Sequence, residues 1–233
     1  MGKAPVTPLR LIVLLPLLTA CATLSQNADL SCGEAGPNTY YFPADTFYRP
    51  DTDAYTHYGH GGMHDENARD DYSNLLSFLG EPSLTCGAPP GEEIYRFVWS
   101  PSFDPPATVR ITRVGDIYVL DAATSVVRDK TRYRIKHIHR TLTQEEWSGA
   151  TSLLEKLNFW NQPTYNEPPF AVDKPRDGTV TITTSKDGAQ WVIEGRADRY
   201  HVIDRWSDDM VGTSIGLAFF RLANLGIPEE DIY

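Results

Sequence analysis

Two groups of segments with alternating apolar residues, separated by one strongly signalled helix, constrain the fold of this chain more than any other feature. Tyr95, Phe97 and Trp99 alternate with Ile94, Arg96 and Val98, and a period of two places successive side chains on opposite faces of a strand. Strand patterns at 108–113, 116–121 and 131–140 follow, so four strands are expected before the period changes. Thr143 and Glu146 then have the spacing of a capping box, and Leu142 and Trp147 that of a hydrophobic staple. Trp147, Ala150, Leu153, Leu154 and Leu157 recur on one helical face, which predicts a helix over 143–157. A proline-bearing connection at 163–175 leads to three more strand patterns, at 179–184, 190–194 and 200–206. A last helix is expected after Ser207, ending at Asn224 with Gly226 at its exit. An earlier helix is expected at 67–79, with Tyr72, Leu75, Leu76 and Leu79 on one face and Gly80 and Pro82 stopping it. Strands joined by short turns pair antiparallel. The order therefore predicts an α+β fold: a single domain over residues 67–233, mostly an antiparallel sheet of about seven strands with three helices, preceded by an extended N-terminal arm.

The first 20 residues follow different rules. Lys3 and Arg10 precede an apolar run at 11–20, about half the length that spans a hydrocarbon core, so an export signal is expected rather than a membrane helix. The run ends in Leu18-Thr19-Ala20-Cys21, which resembles the lipobox of bacterial lipoproteins. The resemblance implies that residues 1–20 are a signal peptide and that the Cys21 thiol receives a diacylglycerol. Two or three acyl chains anchor stably where one is marginal. Ala22 stands where an aspartate would favour inner-membrane retention, so in a bacterium with two membranes the implied address is the outer membrane, facing the periplasm. An ordinary secretory signal with Cys21 incidental is the other reading. With Cys21 consumed by lipid, Cys32 and Cys86 remain in a compartment that permits disulfides. Their pairing would close a loop worth about 4 kcal/mol in chain entropy; two separate thiols are the alternative.

Charge is distributed unevenly. Beyond Ala20 the chain carries 31 acidic residues against 19 basic ones, which argues against nucleic acid, and against anionic headgroups as the main partner. Residues 21–90 hold ten acids and only two bases, Arg49 and Arg69. Residues 21–66 are read as an acidic tether and aromatic arm. Tyr40, Tyr41, Phe42, Phe47, Tyr48, Tyr55 and Tyr58 make it too aromatic for a solvated linker, so part of the arm is expected to lie on the domain.

The body carries a second resemblance. Gly80-Glu81-Pro82-Ser83-Leu84, Tyr95-Arg96-Phe97-Val98-Trp99, Val109-Arg110, Asp187-Gly188-Ala189-Gln190-Trp191-Val192-Ile193-Glu194-Gly195 and Tyr200-His201-Val202-Ile203-Asp204-Arg205-Trp206-Ser207 resemble segments of an uncharacterised group of exported bacterial proteins, across residues 67–226. No activity comes with that group. The chain departs from it at Asp208, where the group has a proline, and at 122–130, which lacks a glycine-rich turn.

Four constellations are candidates for chemistry. His57, His60 and His64 lie among glycines and acids; imidazoles and carboxylates bind zinc or copper, but no fixed ligand spacing is present and no metal is assigned. A hairpin turn centred at Ala197 and Asp198 would place Glu194 opposite His201 and Gln190 opposite Arg205 on one sheet face. That polar cluster of Glu194, His201 and Arg205 suits acid-base work, although opposite charges across strands also serve structure alone. Arg128, Lys130, Arg132, Arg134, Lys136 and Arg140 share even numbers, so a strand would project them from one face toward solvent, toward lipopolysaccharide phosphates or toward the acidic arm. Trp99, Trp147, Trp160, Trp191 and Trp206 sit on or next to predicted elements, where core packing is the usual role.

The expectation is a lipid-anchored periplasmic envelope protein with a non-enzymatic binding or accessory role, an envelope protein or glycan as partner, and no cofactor. The alternative is a periplasmic hydrolase or metal-dependent enzyme using Glu194, His201 and Arg205 or the histidine cluster. Convergence of those side chains in an open cleft, or their burial on packed faces, separates the two.

Overall fold

The computed structural model describes Gly2 and residues 41–43, 45–49, 63–64, 66–85, 91–129, 132–165, 170–173, 181–184, 188–207 and 209–232. In chain order the elements are β1 (Tyr48–Arg49) paired with β2 (Met63–His64), helix α1 (Glu66–Phe78), and the strands β3 (Glu92–Pro101), β4 (Ala107–Val114), β5 (Ile117–Asp129) and β6 (Arg132–Thr141). Helix α2 (Gln144–Lys156), β7 (Phe170–Asp173) paired with β8 (Thr181–Thr184), β9 (Ala189–Arg196), β10 (Tyr200–Trp206) and helix α3 (Met210–Ala223) complete them. The α+β class is as the periodicity predicts.

The principal sheet has six strands in the order β10-β9-β3-β4-β5-β6, with every neighbour antiparallel. The expected seventh, β8, pairs instead with β7 in a separate ribbon, because the proline-bearing connection itself contains a short strand that takes up its hydrogen bonds.

β3 is internal, and every residue from Ile94 to Trp99 is buried. Its two faces serve different layers. Phe97, Trp99, Val109, Ile111, Leu120, Trp191, Ile193 and Ile203 meet Trp147 and Leu154 of α2 and Ile215, Phe219 and Phe220 of α3. The helix sits so close that a Cβ on Gly216 would lie 2.0 Å from the Trp191 ring. On the opposite face Val98, Val192 and Val202 pack against Tyr72 and Leu76 of α1 and against Tyr41, Phe42 and Phe47 of the arm. Part of the aromatic arm thus lies on the domain, as its composition implies.

Helix ends follow local chemistry. Glu146 N donates to Thr143 Oγ1 (3.1 Å) and Thr143 N to Glu146 Oε2 (2.8 Å), closing the capping box. The Arg140 guanidinium and the Thr143 amide hold the Glu146 carboxyl below its usual range. α3 starts at Asp209, whose carboxylate accepts from Gly212 N, and ends at Asn224 in the left-handed region (φ 49°).

Candidate functional site: a charged row across the sheet

Register alone builds the most unusual feature of the molecule. Glu194 of β9 lies opposite Arg96 of β3, Arg96 opposite Arg110 of β4, Arg110 opposite Asp121 of β5, and Asp121 opposite His139 of β6. One line of ionisable side chains therefore crosses five strands. Like charges placed directly opposite destabilise a sheet, and the Arg96 and Glu194 side chains are 0% exposed, so the row exists only because each charge meets an opposite one.

The contacts supply that condition. Arg96 Nε donates to Glu194 Oε2 at 2.6 Å, Arg96 Nη2 is in ion-pair contact with the same oxygen, and Arg96 Nη1 donates to Pro82 O at 2.6 Å. Tyr200 Oη donates to Glu194 Oε1 at 2.9 Å. Glu81, in the turn after α1, lies between the two arginines: its Oε2 is 2.9 Å from Arg110 Nε and 3.5 Å from Arg96 Nη1, while Thr108 Oγ1 donates to Oε1 at 3.3 Å. Arg110 Nη2 reaches Asp121 Oδ2 at 3.2 Å, and Asp121 Oδ1 lies 2.6 Å from His139 Nδ1.

Burial pushes the Glu194 carboxyl up, opposed by Arg96 and Tyr200. Burial alone would lower the Arg96 guanidinium, but Glu194 and Glu81 beside it raise it. Burial and then the adjacent Glu194 carboxylate raise the Tyr200 phenol well above its ordinary value. Each carboxylate of the row already accepts from donors of its own chain. A carboxylate so engaged must first break those bonds before it can serve as a base toward another molecule.

The expected cluster does not assemble. β9 and β10 pair Arg196 with Tyr200, which leaves the three residues Ala197, Asp198 and Arg199 in the turn rather than two. The extra residue shifts the register by one, so Glu194 faces Val202, His201 faces Gly195, Arg205 faces Trp191 and Gln190 faces Trp206. A one-residue shift moves side chains to the other face. His201 and Arg205 accordingly lie across the sheet from Glu194. His201 packs against Phe159 at 5.1 Å and Trp160 at 6.2 Å, and burial, then the Arg199 charge, lower its pKa. Arg205 is buried and donates to Thr164 O (2.6 Å) and Pro163 O (2.7 Å), tying the 163–165 connection to β10.

The other expectations resolve unevenly. Cys21, Cys32, Cys86, His57, His60 and Lys130 lie outside the described residues, and His64 falls in β2. Among the described residues, no group of three or more His, Cys, Asp or Glu is placed to hold a metal ion. The basic row is divided, since Arg128 belongs to the end of β5 and Arg132 to the start of β6. Lys136 Nζ donates to Leu225 O at 2.6 Å, and Arg140 donates to Leu222 O and pairs with both oxygens of Glu146. These two cations serve the C-terminal end of α3, where carbonyls favour positive charge, while Arg134 is exposed. Tyr41, Phe42 and Phe47 of the arm pack on the opposite face of the sheet. Trp99, Trp147 and Trp191 are core residues, with Trp160 packed against the same cluster.

Sequence reading missed Glu81, Arg96, Arg110, Asp121 and His139 as a set. One signal was present: Arg96 stands between Ile94 and Val98 in a strand whose other face is aromatic, and a charge in a strand buried on both faces demands a partner. Comparison with protein-family models, curated proteins and solved structures returned no match.

Proposed function

We propose that the mature chain is a lipid-anchored envelope protein, attached through Cys21 at the outer membrane and facing the periplasm, with a non-enzymatic binding or accessory role toward an envelope protein or glycan. Support for the anchor comes from the short apolar run ending in Leu18-Thr19-Ala20-Cys21. Support for the role comes from one observation: Glu194, His201 and Arg205 lie on two packed faces of the sheet, and Glu194 and Arg205 are buried and bonded to the chain's own groups. A depression of about 780 Å3 between α2, α3 and β6 contains Arg140 and Glu146, which already bond each other. Replacing Cys21→Ser and fractionating the cells tests the anchor. The expected outcome is transfer of the protein from the membrane fraction to the soluble or uncleaved precursor pool. An unchanged distribution of a protein of mature length contradicts the reading.

A further inference from the structure

The carboxylate of Glu81 sits on the sheet as a ligand sits on a receptor. Gly80 N donates to Ser77 O (3.1 Å) and Glu81 N to Leu76 O (2.9 Å), with Gly80 at φ +74°. Those two bonds form a Schellman ending, in which the residue at the Glu81 position frequently makes an apolar contact back to the helix. Here that position holds an acid, buried at 6% exposure and directed at Arg96, Thr108 and Arg110. All three of those donors belong to β3 and β4, while the carboxylate belongs to α1 and its turn. Arg96 and Arg110 are direct cross-strand neighbours, a like-charge pair that needs an anion between its guanidinium groups.

We propose that Arg96, Thr108 and Arg110 form a carboxylate-binding site whose occupant is the Glu81 side chain, so that α1 and its following turn dock on the sheet as a separable clip. The clip has further attachments that do not depend on Glu81. Tyr72 Oη donates to Asp204 Oδ2 (3.0 Å), Arg196 Nη1 donates to Leu84 O (2.6 Å), and Tyr72 and Leu76 share an apolar cluster with Val98, Val192 and Val202. Emptying the site therefore loosens the clip without removing the core beneath it.

The test is chemical rescue. Glu81→Ala vacates the site while leaving both arginines, and sodium formate supplies a small carboxylate in trans. The expected result is a lowered melting temperature that 100 mM-scale formate restores by about half or more, beyond sodium chloride at equal ionic strength, because a charge-assisted hydrogen bond is being returned. Wild type, and Glu81→Ala carrying Arg110→Gln, should show no formate-specific gain. Equal effects of formate and chloride on Glu81→Ala, or equal formate effects on wild type and variant, would overturn the proposal. If Glu81→Ala does not fold, Glu81→Gln keeps the shape and removes the charge. Amide exchange in 66–85 should then rise about tenfold or more while β9 and β10 keep their protection. A uniform rise, or none, would overturn it equally.

Discussion

Replacing Arg96→Met leaves Glu194 buried with only the Tyr200 hydroxyl and removes the donor to Pro82 O. Breaking a buried ion pair from one side costs about 3–5 kcal/mol, because the surviving charge loses its compensation. Glu194→Leu, which isolates Arg96 from its nearest acid, falls in the same range. The double variant differs in kind. With both charges gone, Glu81 and Arg110 still neutralise each other at 2.9 Å, and the orphans are the Tyr200 hydroxyl and the Pro82 carbonyl, at about 1–3 kcal/mol each. Added apolar packing offsets part of that. The double variant should therefore lie about as far below wild type as either single one, whereas additivity would demand about 6–10 kcal/mol. Urea unfolding followed by tryptophan fluorescence measures this directly. At a slope of about 2 kcal/mol per molar, each single variant moves the midpoint by about 2 M, and the double variant moves it no further. Single effects below about 0.5 kcal/mol, or a double effect equal to their sum, would refute the claim that the row is a mutually compensated set.

Two more perturbations follow from the same geometry. Gly216→Ala would gain about 1 kcal/mol of helix propensity, but its Cβ would lie 2.0 Å from the Trp191 ring and 2.8 Å from Phe97, and overpacking costs about 1–3 kcal/mol or more. Net destabilisation is expected, while Gly149→Ala, with nothing within 4 Å, should stabilise by about 1 kcal/mol; thermal melts showing both changes with the same sign would contradict the packing described for α3. Burial and Arg199 lower the His201 pKa, so the unfolded chain takes up this proton before the folded one does. The resulting stability is complete above the ordinary histidine pKa and is lost as pH falls through the folded value. His201→Gln should flatten the fall in urea midpoint between about pH 7 and pH 5, and an identical slope in both proteins would disprove the assignment.

What could be read from the residues depended on how far apart the cooperating groups lie in the chain. The capping box of α2 spans three residues and forms as expected, and the end of α3 is equally local, although its cap is Asn224 rather than the expected Gly226. The β9–β10 hairpin was legible as a pair of strands, but its register turns on whether two or three residues make the turn, and that choice decides which face His201 and Arg205 occupy. β7 went unseen because four residues next to prolines carry too little periodicity. The even-numbered spacing of Arg134, Lys136 and Arg140 was visible in the sequence. The partners of Lys136 and Arg140, the Leu225 and Leu222 carbonyls at the end of α3, are more than 80 residues away and were not. The charged row is the extreme case: Arg96 and Glu194 are 98 residues apart, and no single strand announces a line that five of them assemble.

Intact-mass analysis of the protein extracted from membranes addresses the proposed anchor most directly. A mature chain of residues 21–233, heavier than its polypeptide by a diacylglyceryl group and an amide-linked acyl chain, is the predicted result. A chain starting at any other residue, or one of unmodified polypeptide mass, would contradict it.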